Sequence, residues 1–182
     1  MTAPEIRKVQ GHQRRPDRRT VGCTMGSGPV IIGFDGRPAS ERAVEEAAAL
    51  FAPRRALVVV VWEAGRAFDV TLLPTRALDM PLSNIDVRTA IELDRAMYEE
   101  AQRLARWGAK LATDGGLEAD GLAVADDVTV ADTLVRLAKE HDAAVVAVGT
   151  HGHGRVTELL LGSTSRGVIE RAPCPTLVVR GD

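Results

Sequence analysis

The sequence predicts an α/β fold: a Rossmann-like, open, five-stranded and mainly parallel sheet with helices on both faces. Three observations lead there. Short apolar runs alternate with amphipathic stretches from residue 29 to the end. The runs Leu57–Trp62 and Ala143–Val148 are apolar without alternation, as in strands covered on both faces of a parallel sheet. At 182 residues the chain is one domain's worth, long enough for a substantial core.

The elements follow in order. Val30–Phe34 is a short β-rich run that ends in the turn cluster Asp35-Gly36-Arg37-Pro38. Ser40 offers an N-cap, and Val44, Ala47, Ala48 and Phe51 form the stripe of a helix closed by Pro53. Leu57–Trp62 is the second strand. Residues 63–88 show no clean period and carry Gly65, Pro74 and Pro81, so they read as a long loop. A helix is expected over Thr89–Ala112, with Leu93, Met97, Ala101, Leu104, Ala105 and Leu111 on one side, ended by Asp114-Gly115-Gly116. Leu122–Val124 is a weak third strand, and Val130, Leu134, Leu137 and Ala138 mark the next helix. Ala143–Val148, a helix over Ser163–Arg171, the breaker Pro173-Cys174-Pro175 and the strand Thr176–Arg180 complete the pattern. Right-handed crossovers then set helices on both faces. Ligands in such sheets sit beyond the carboxyl ends of the strands, where strand order reverses. Asp35 and Gly149 both follow strand ends and should meet there.

Composition narrows the function classes. A net charge of −2 argues against a whole-domain binder of polyanions. The longest apolar run, Ala56–Trp62, is far too short to span a bilayer, and Met1–Arg19 is polar and basic rather than a secretory signal. Cys23 and Cys174 form no disulfide framework and lack metal-ligand spacing, which suits a reducing cytoplasm. Residues 1–28 carry Arg7, Lys8, Arg14, Arg15, Arg18 and Arg19 against Glu5 and Asp17. That stretch reads as a disordered basic arm, a solvated leader rather than a nucleic-acid-binding tail; residues 29–182 are the folded domain.

The motif with chemistry in it follows the fourth strand: Gly149-Thr150-His151-Gly152, nine residues, then Gly162-Ser163-Thr164-Ser165. Glycines at both ends of a strand-to-helix crossing let backbone approach a ligand closely. A helix opening at Ser163 aims free N–H groups and a positive dipole end at an anion such as phosphate. The phosphate loop of P-loop NTPases is a near miss, because Arg155-Val156 stands where that mechanism needs Lys and Ser or Thr. A dinucleotide fingerprint is also missing after the first strand, where only Gly33 and Gly36 occur.

Gly-x2-Gly-x9-Gly-Ser after an apolar strand, with Asp35 at the end of the first, resembles the ATP-binding universal stress proteins. The resemblance runs from about Pro29 to Arg180 and takes in Asp35–Ser40 and Ala172–Arg180. It implies that the Asp35 carboxylate accepts hydrogen bonds at the adenosine end, near Gly33, and that backbone at Val61 reads the adenine edge. Val148 and Gly149 would flank base and sugar, and Gly152 and Gly162 would let backbone close on the phosphates. Ser163, Thr164 and Ser165 would supply N–H and hydroxyl donors, with Arg155 adding charge. It implies ATP with Mg2+ or another divalent ion carried by the phosphates, and a homodimer through Thr176–Arg180. The sequence departs from the pattern at Phe34, bulkier than the turn needs, and at Ala125-Asp126-Asp127-Val128, where relatives often carry Gly-x-Pro.

Plainer roles stand beside these. Asp35 also suits a turn and Ser163 an N-cap. His151 and His153 read as solvated loop residues, since two imidazoles do not define a metal site. Asp126 and Asp127 fit acids at a helix start. Cys174 reads as a buried small hydrophobe, and Trp62 and Trp107 as packing residues. The expectation is an ATP-binding regulatory protein whose nucleotide stabilises a conformation or dimer. A slow ATPase or phosphotransferase and a nucleotide-free scaffold are the alternatives, and no catalytic residue is assigned.

Overall fold

The computed structural model describes residues 27–63, 87–126, 128–150 and 161–181. Elements alternate strictly: β1 (Val30–Gly33), α1 (Pro38–Phe51), β2 (Arg55–Trp62), α2 (Val87–Asp114), β3 (Glu118–Ala125), α3 (Val130–Glu140), β4 (Val145–Thr150), α4 (Ser163–Arg171) and β5 (Thr176–Arg180). The strands form one sheet in the order β3-β2-β1-β4-β5, and every pairing is parallel. Strand order therefore reverses between β1 and β4. The long loop expected over residues 63–88 lies mostly outside the described residues.

The period-two alternation of the strands sends residues to two separate cores. Val30, Ile32, Phe34, Val58, Val60, Val145 and Ala147 pack with α1 and α2. Ile31, Val59, Val146 and Val148 pack with Ala131, Leu134 and Ala138 of α3 and Val168 of α4. Both faces of the central strands are covered, which is why their sequences are continuously apolar. No described helix is long and apolar enough to cross a membrane.

Several local expectations need correction. α1 begins earlier than Ser40: Arg37 is its N-cap, Pro38 occupies the first turn, and Ser40 is buried within the helix. Pro can open the helix there because its missing N–H would have had no intrahelical acceptor. α2 is longer than expected, and its Leu93 is 52% exposed. The cause is length. A helix of 28 residues spans ~42 Å whereas strands of 8 reach only ~26 Å, so the first turns of α2 overhang the sheet. Phe34 is no misfit in its turn: it is 4% exposed and meets Trp107 edge-on at 5.3 Å. Gly108 makes room for it, since a Cβ there would stand 2.7 Å from the Phe34 ring. Asp126 is not in a helix start. It follows β3, its N–H donating to the Trp62 carbonyl at 2.9 Å, while Thr129 caps α3 and the first-turn acid is Asp132. Cys174 is only partly buried, against the α3/α4 core.

Candidate functional site

A cavity of about 510 Å³ opens at the carboxyl ends of β1, β2 and β4, where strand order reverses. That volume falls within the ~300–1,000 Å³ of small-molecule sites. At this cavity β1 ends in a residue without a side chain, Gly33. A Cβ at Gly33 would lie 3.0 Å from Leu134 Cδ1 of α3 and 3.3 Å from Val148 Cγ1 of β4, on the face of the sheet that α3 covers.

On the β2 side the wall is apolar, made by Val59 and Val61 with Val130 and Leu134 of α3. Successive residues of a parallel strand turn their peptide groups to opposite neighbours. The β1–β2 ladder closes with the Phe34 N–H on the Val59 carbonyl at 2.9 Å. Val61, two residues on, therefore turns its N–H and C=O past the end of β1, over the crevice.

Asp35 stands at the centre and its turn fixes its carboxylate. Oδ1 accepts the Arg37 N–H at 3.0 Å and the Ser40 hydroxyl at 2.7 Å; Oδ2 lies 3.8 Å from Arg37 Nε. The Ser40 hydroxyl also reaches the Arg37 carbonyl at 2.9 Å and accepts the Asp35 N–H at 3.3 Å. Asp35 is thus a turn residue in its own right, and at the same time its side chain, half exposed, lines the cavity.

On the β4 side, Gly162 is the N-cap of α4 and has no side chain to cap it. The first helical hydrogen bond runs from the Arg166 N–H to the Gly162 carbonyl at 3.0 Å. The N–H groups of Ser163, Thr164 and Ser165 precede it and have no intrahelical acceptor. All three residues line the cavity, at the positive end of the helix dipole. Ser165 departs from its expected part. Its buried hydroxyl donates to the Gly149 carbonyl at 3.1 Å, so it fastens α4 to β4. Thr150, 8% exposed, also lines the cavity; its Oγ1 has no hydrogen-bond partner among the described residues.

The two described glycines of the motif differ in kind. A Cβ on Gly149 would lie 2.4 Å from the Ala39 carbonyl oxygen and 2.8 Å from the Ser40 nitrogen. Gly149 is therefore needed where α1 crosses β4, not for closeness to a ligand. A Cβ on Gly162 would meet none of the described residues within 4 Å, and its backbone is extended at φ −60°.

The cavity thus brings together Gly33, Asp35, Val61, Val148, Gly149, Gly162, Ser163, Thr164 and Ser165. Gly152 and Arg155 fall outside the described residues, as do His151, His153, Asp127 and residues 1–26 of the basic arm. Gly28, counted in that arm, is bonded to the domain through its N–H on the Asp142 carbonyl at 3.1 Å. Sequence reasoning passed over Arg37, Ser40, Val59, Val130, Leu134 and Thr150. Their signals were present but spoke of other things: Val130 and Leu134 read as a helix stripe, Arg37 and Ser40 as turn and cap.

Comparison with known proteins agrees with this architecture. The sequence model of the Universal stress protein family matches residues 27–180. Universal stress protein Rv2005c of Mycobacterium tuberculosis is 31% identical over 156 residues, which cover 84% of this chain and 45% of that protein. The chain spans about half the length of such curated relatives. The solved structure of MJ0577, from Methanocaldococcus jannaschii, is similar with a TM-score of 0.62 at 21% identity, covering 86% of this chain and 97% of that one. A universal stress protein from Archaeoglobus fulgidus in complex with dAMP gives 0.55 at 18% identity, covering 84% and 97%. A family member from Arabidopsis thaliana with AMP bound gives 0.53 at 15%, covering 85% and 92%.

Proposed function

The chain belongs to the universal stress protein family, and we propose that its domain holds ATP in the crevice between β1 and β4 as a regulatory ligand. One observation carries the reading. A single cavity joins an apolar wall on β2 and α3 to the uncapped first turn of α4, with a fixed carboxylate between them. Those surfaces match base, phosphate and ribose. The adenine would lie against Val59, Val61, Val130 and Leu134, its edge meeting the Val61 peptide. Asp35 would accept the ribose hydroxyls, and the N–H groups of Ser163, Thr164 and Ser165 would take a phosphate. Mg2+ or another divalent ion would arrive carried by the phosphates. Support also comes from the two relatives bound to dAMP and AMP. ATP held this way stabilises the folded state by mass action, which suits a protein that responds to nucleotide by changing conformation or association.

The test is thermal unfolding with and without ATP. Asp35→Ala should reduce the ATP-induced rise in melting temperature to half or less. An equal rise in the wild type and in Asp35→Ala would remove the carboxylate from the site.

The domain is also proposed to pair with a second copy through β5, an edge strand bonded on one side to β4. Supporting this, an apolar edge such as Leu177-Val178-Val179 invites a covering strand. The Gly181 N–H donates to the Thr150 carbonyl at 3.1 Å, so by alternation the Val178 N–H points away from β4. Val178→Pro would therefore remove an outward donor and leave the β4 ladder whole. Sedimentation should show the wild type as a dimer and Val178→Pro as a folded monomer; a monomeric wild type would contradict the pairing.

A further inference from the structure

We propose that the Thr150 hydroxyl is a ligand-binding group of this site, one that donates to a phosphoryl oxygen of the nucleotide. The inference rests on the nucleotide reading above and deepens it. Thr150 ends β4, two residues beyond Val148. Alternation along a strand gives the two side chains one face, the face that α3 and α4 cover. Val148 packs there with Leu134, and Val148, Leu134 and Thr150 all line the cavity. α4 is fastened next to Thr150, because the Ser165 hydroxyl donates at 3.1 Å to the carbonyl of the preceding residue, Gly149. Thr150 therefore stands at the proposed phosphate end of the crevice, beside the first turn of α4.

Its hydroxyl is set apart by what it lacks. The buried polar residues among those described are Ser40, Thr133, Thr150 and Ser165. Ser40 bonds Asp35 Oδ1 at 2.7 Å, Thr133 reaches the Thr129 carbonyl at 3.3 Å, and Ser165 holds Gly149. Thr150, 8% exposed, has no partner for Oγ1 among the described residues, although its carbonyl accepts the Gly181 N–H at 3.1 Å. A buried hydroxyl left unbonded costs stability. Valine has nearly the same shape, carries no such cost and suits a strand at least as well. The fold alone would therefore favour valine, and the threonine calls for a partner from outside it. The surroundings say which kind. The N–H groups of Ser163, Thr164 and Ser165, without intrahelical acceptors, make this end of the cavity a place for an anion. A hydroxyl donating to a charged phosphoryl oxygen forms a bond roughly twice as strong as a neutral one.

The experiment compares full-length wild type, Thr150→Val and Thr150→Ser by thermal unfolding without ligand and by calorimetric titration with ATP and with adenosine. Thr150→Val should unfold at the wild-type temperature or above it, yet lose on the order of tenfold in ATP affinity. Adenosine, which has no phosphate, should bind Thr150→Val within about twofold of wild type. Thr150→Ser keeps the hydroxyl and should hold ATP within about threefold of wild type. A Thr150→Val that unfolds at lower temperature and keeps its ATP affinity would assign the hydroxyl to the fold, and would overturn the inference with the nucleotide reading intact. Equal losses for ATP and adenosine would do the same. So would a loss in Thr150→Ser as large as in Thr150→Val, which would trace the effect to packing rather than to the hydroxyl. A wild type that binds neither ligand would overturn both readings together.

Discussion

Gly149→Ala should destabilise the protein by about 3 kcal/mol, seen as a fall in melting temperature of roughly 6–12 °C without any ligand. The added methyl would sit 2.4 Å from the Ala39 carbonyl oxygen, 2.5 Å from its carbon and 2.8 Å from the Ser40 nitrogen. All three are backbone atoms of a helix, so no side chain can swing aside. α1 would have to lift from the end of β4, loosening its contacts with the core residues Val30, Ile32, Val145 and Ala147. Because the same turn carries Ser40 and its bond to Asp35 Oδ1 at 2.7 Å, nucleotide affinity should fall as well. An alanine variant with wild-type stability would show that this helix crossing is looser than its geometry says.

Gly162→Val should do the reverse: a modest loss of stability and a large loss of binding. Valine is a poorer N-cap than glycine, by about 1 kcal/mol, which shifts the melting temperature by roughly 2–4 °C. Nothing in the described fold stands within 4 Å of the new Cβ, and φ of −60° suits any residue. Neither the backbone nor packing among the described residues thus requires glycine there. Gly162 lines the cavity, beside the residues whose N–H groups are proposed to hold phosphate, so an isopropyl group there is expected to crowd that phosphate. At about 100 times its dissociation constant ATP should add ~2.7 kcal/mol to the wild type, a rise of roughly 5–10 °C. In Gly162→Val that rise should vanish. A full ATP-induced rise in the variant would place the phosphates elsewhere.

These two glycines show what the sequence could and could not reveal. The parallel sheet was readable because strands buried on both faces read as continuously apolar, as Leu57–Trp62 and Ala143–Val148 do, whereas the order of the strands in it was not. The crevice was readable too, because reversal of strand order puts the ends of β1 and β4 side by side. Spacing alone could not separate Gly149 from Gly162. A Cβ on Gly149 would meet Ala39, whereas one on Gly162 would meet none of the described residues, and both are facts of tertiary contact. The overhang of α2 was hidden for a similar reason: helical periodicity continues through Leu93 whether or not a strand lies beneath it. Phe34 looked too large for its turn until Gly108 and Trp107, remote in sequence, were placed around it. Arg37 was visible only as a turn residue. That it lines the crevice is a fact of the folded chain.

The most direct measurement of the central claim is an equilibrium titration of the full wild-type chain with ATP, repeated on Gly162→Val. Saturable binding of one ATP per chain in the wild type, absent in a folded Gly162→Val, is the result predicted for a nucleotide held between β1 and the first turn of α4. No saturable binding by the wild type at millimolar ATP, or equal binding by both proteins, would contradict it.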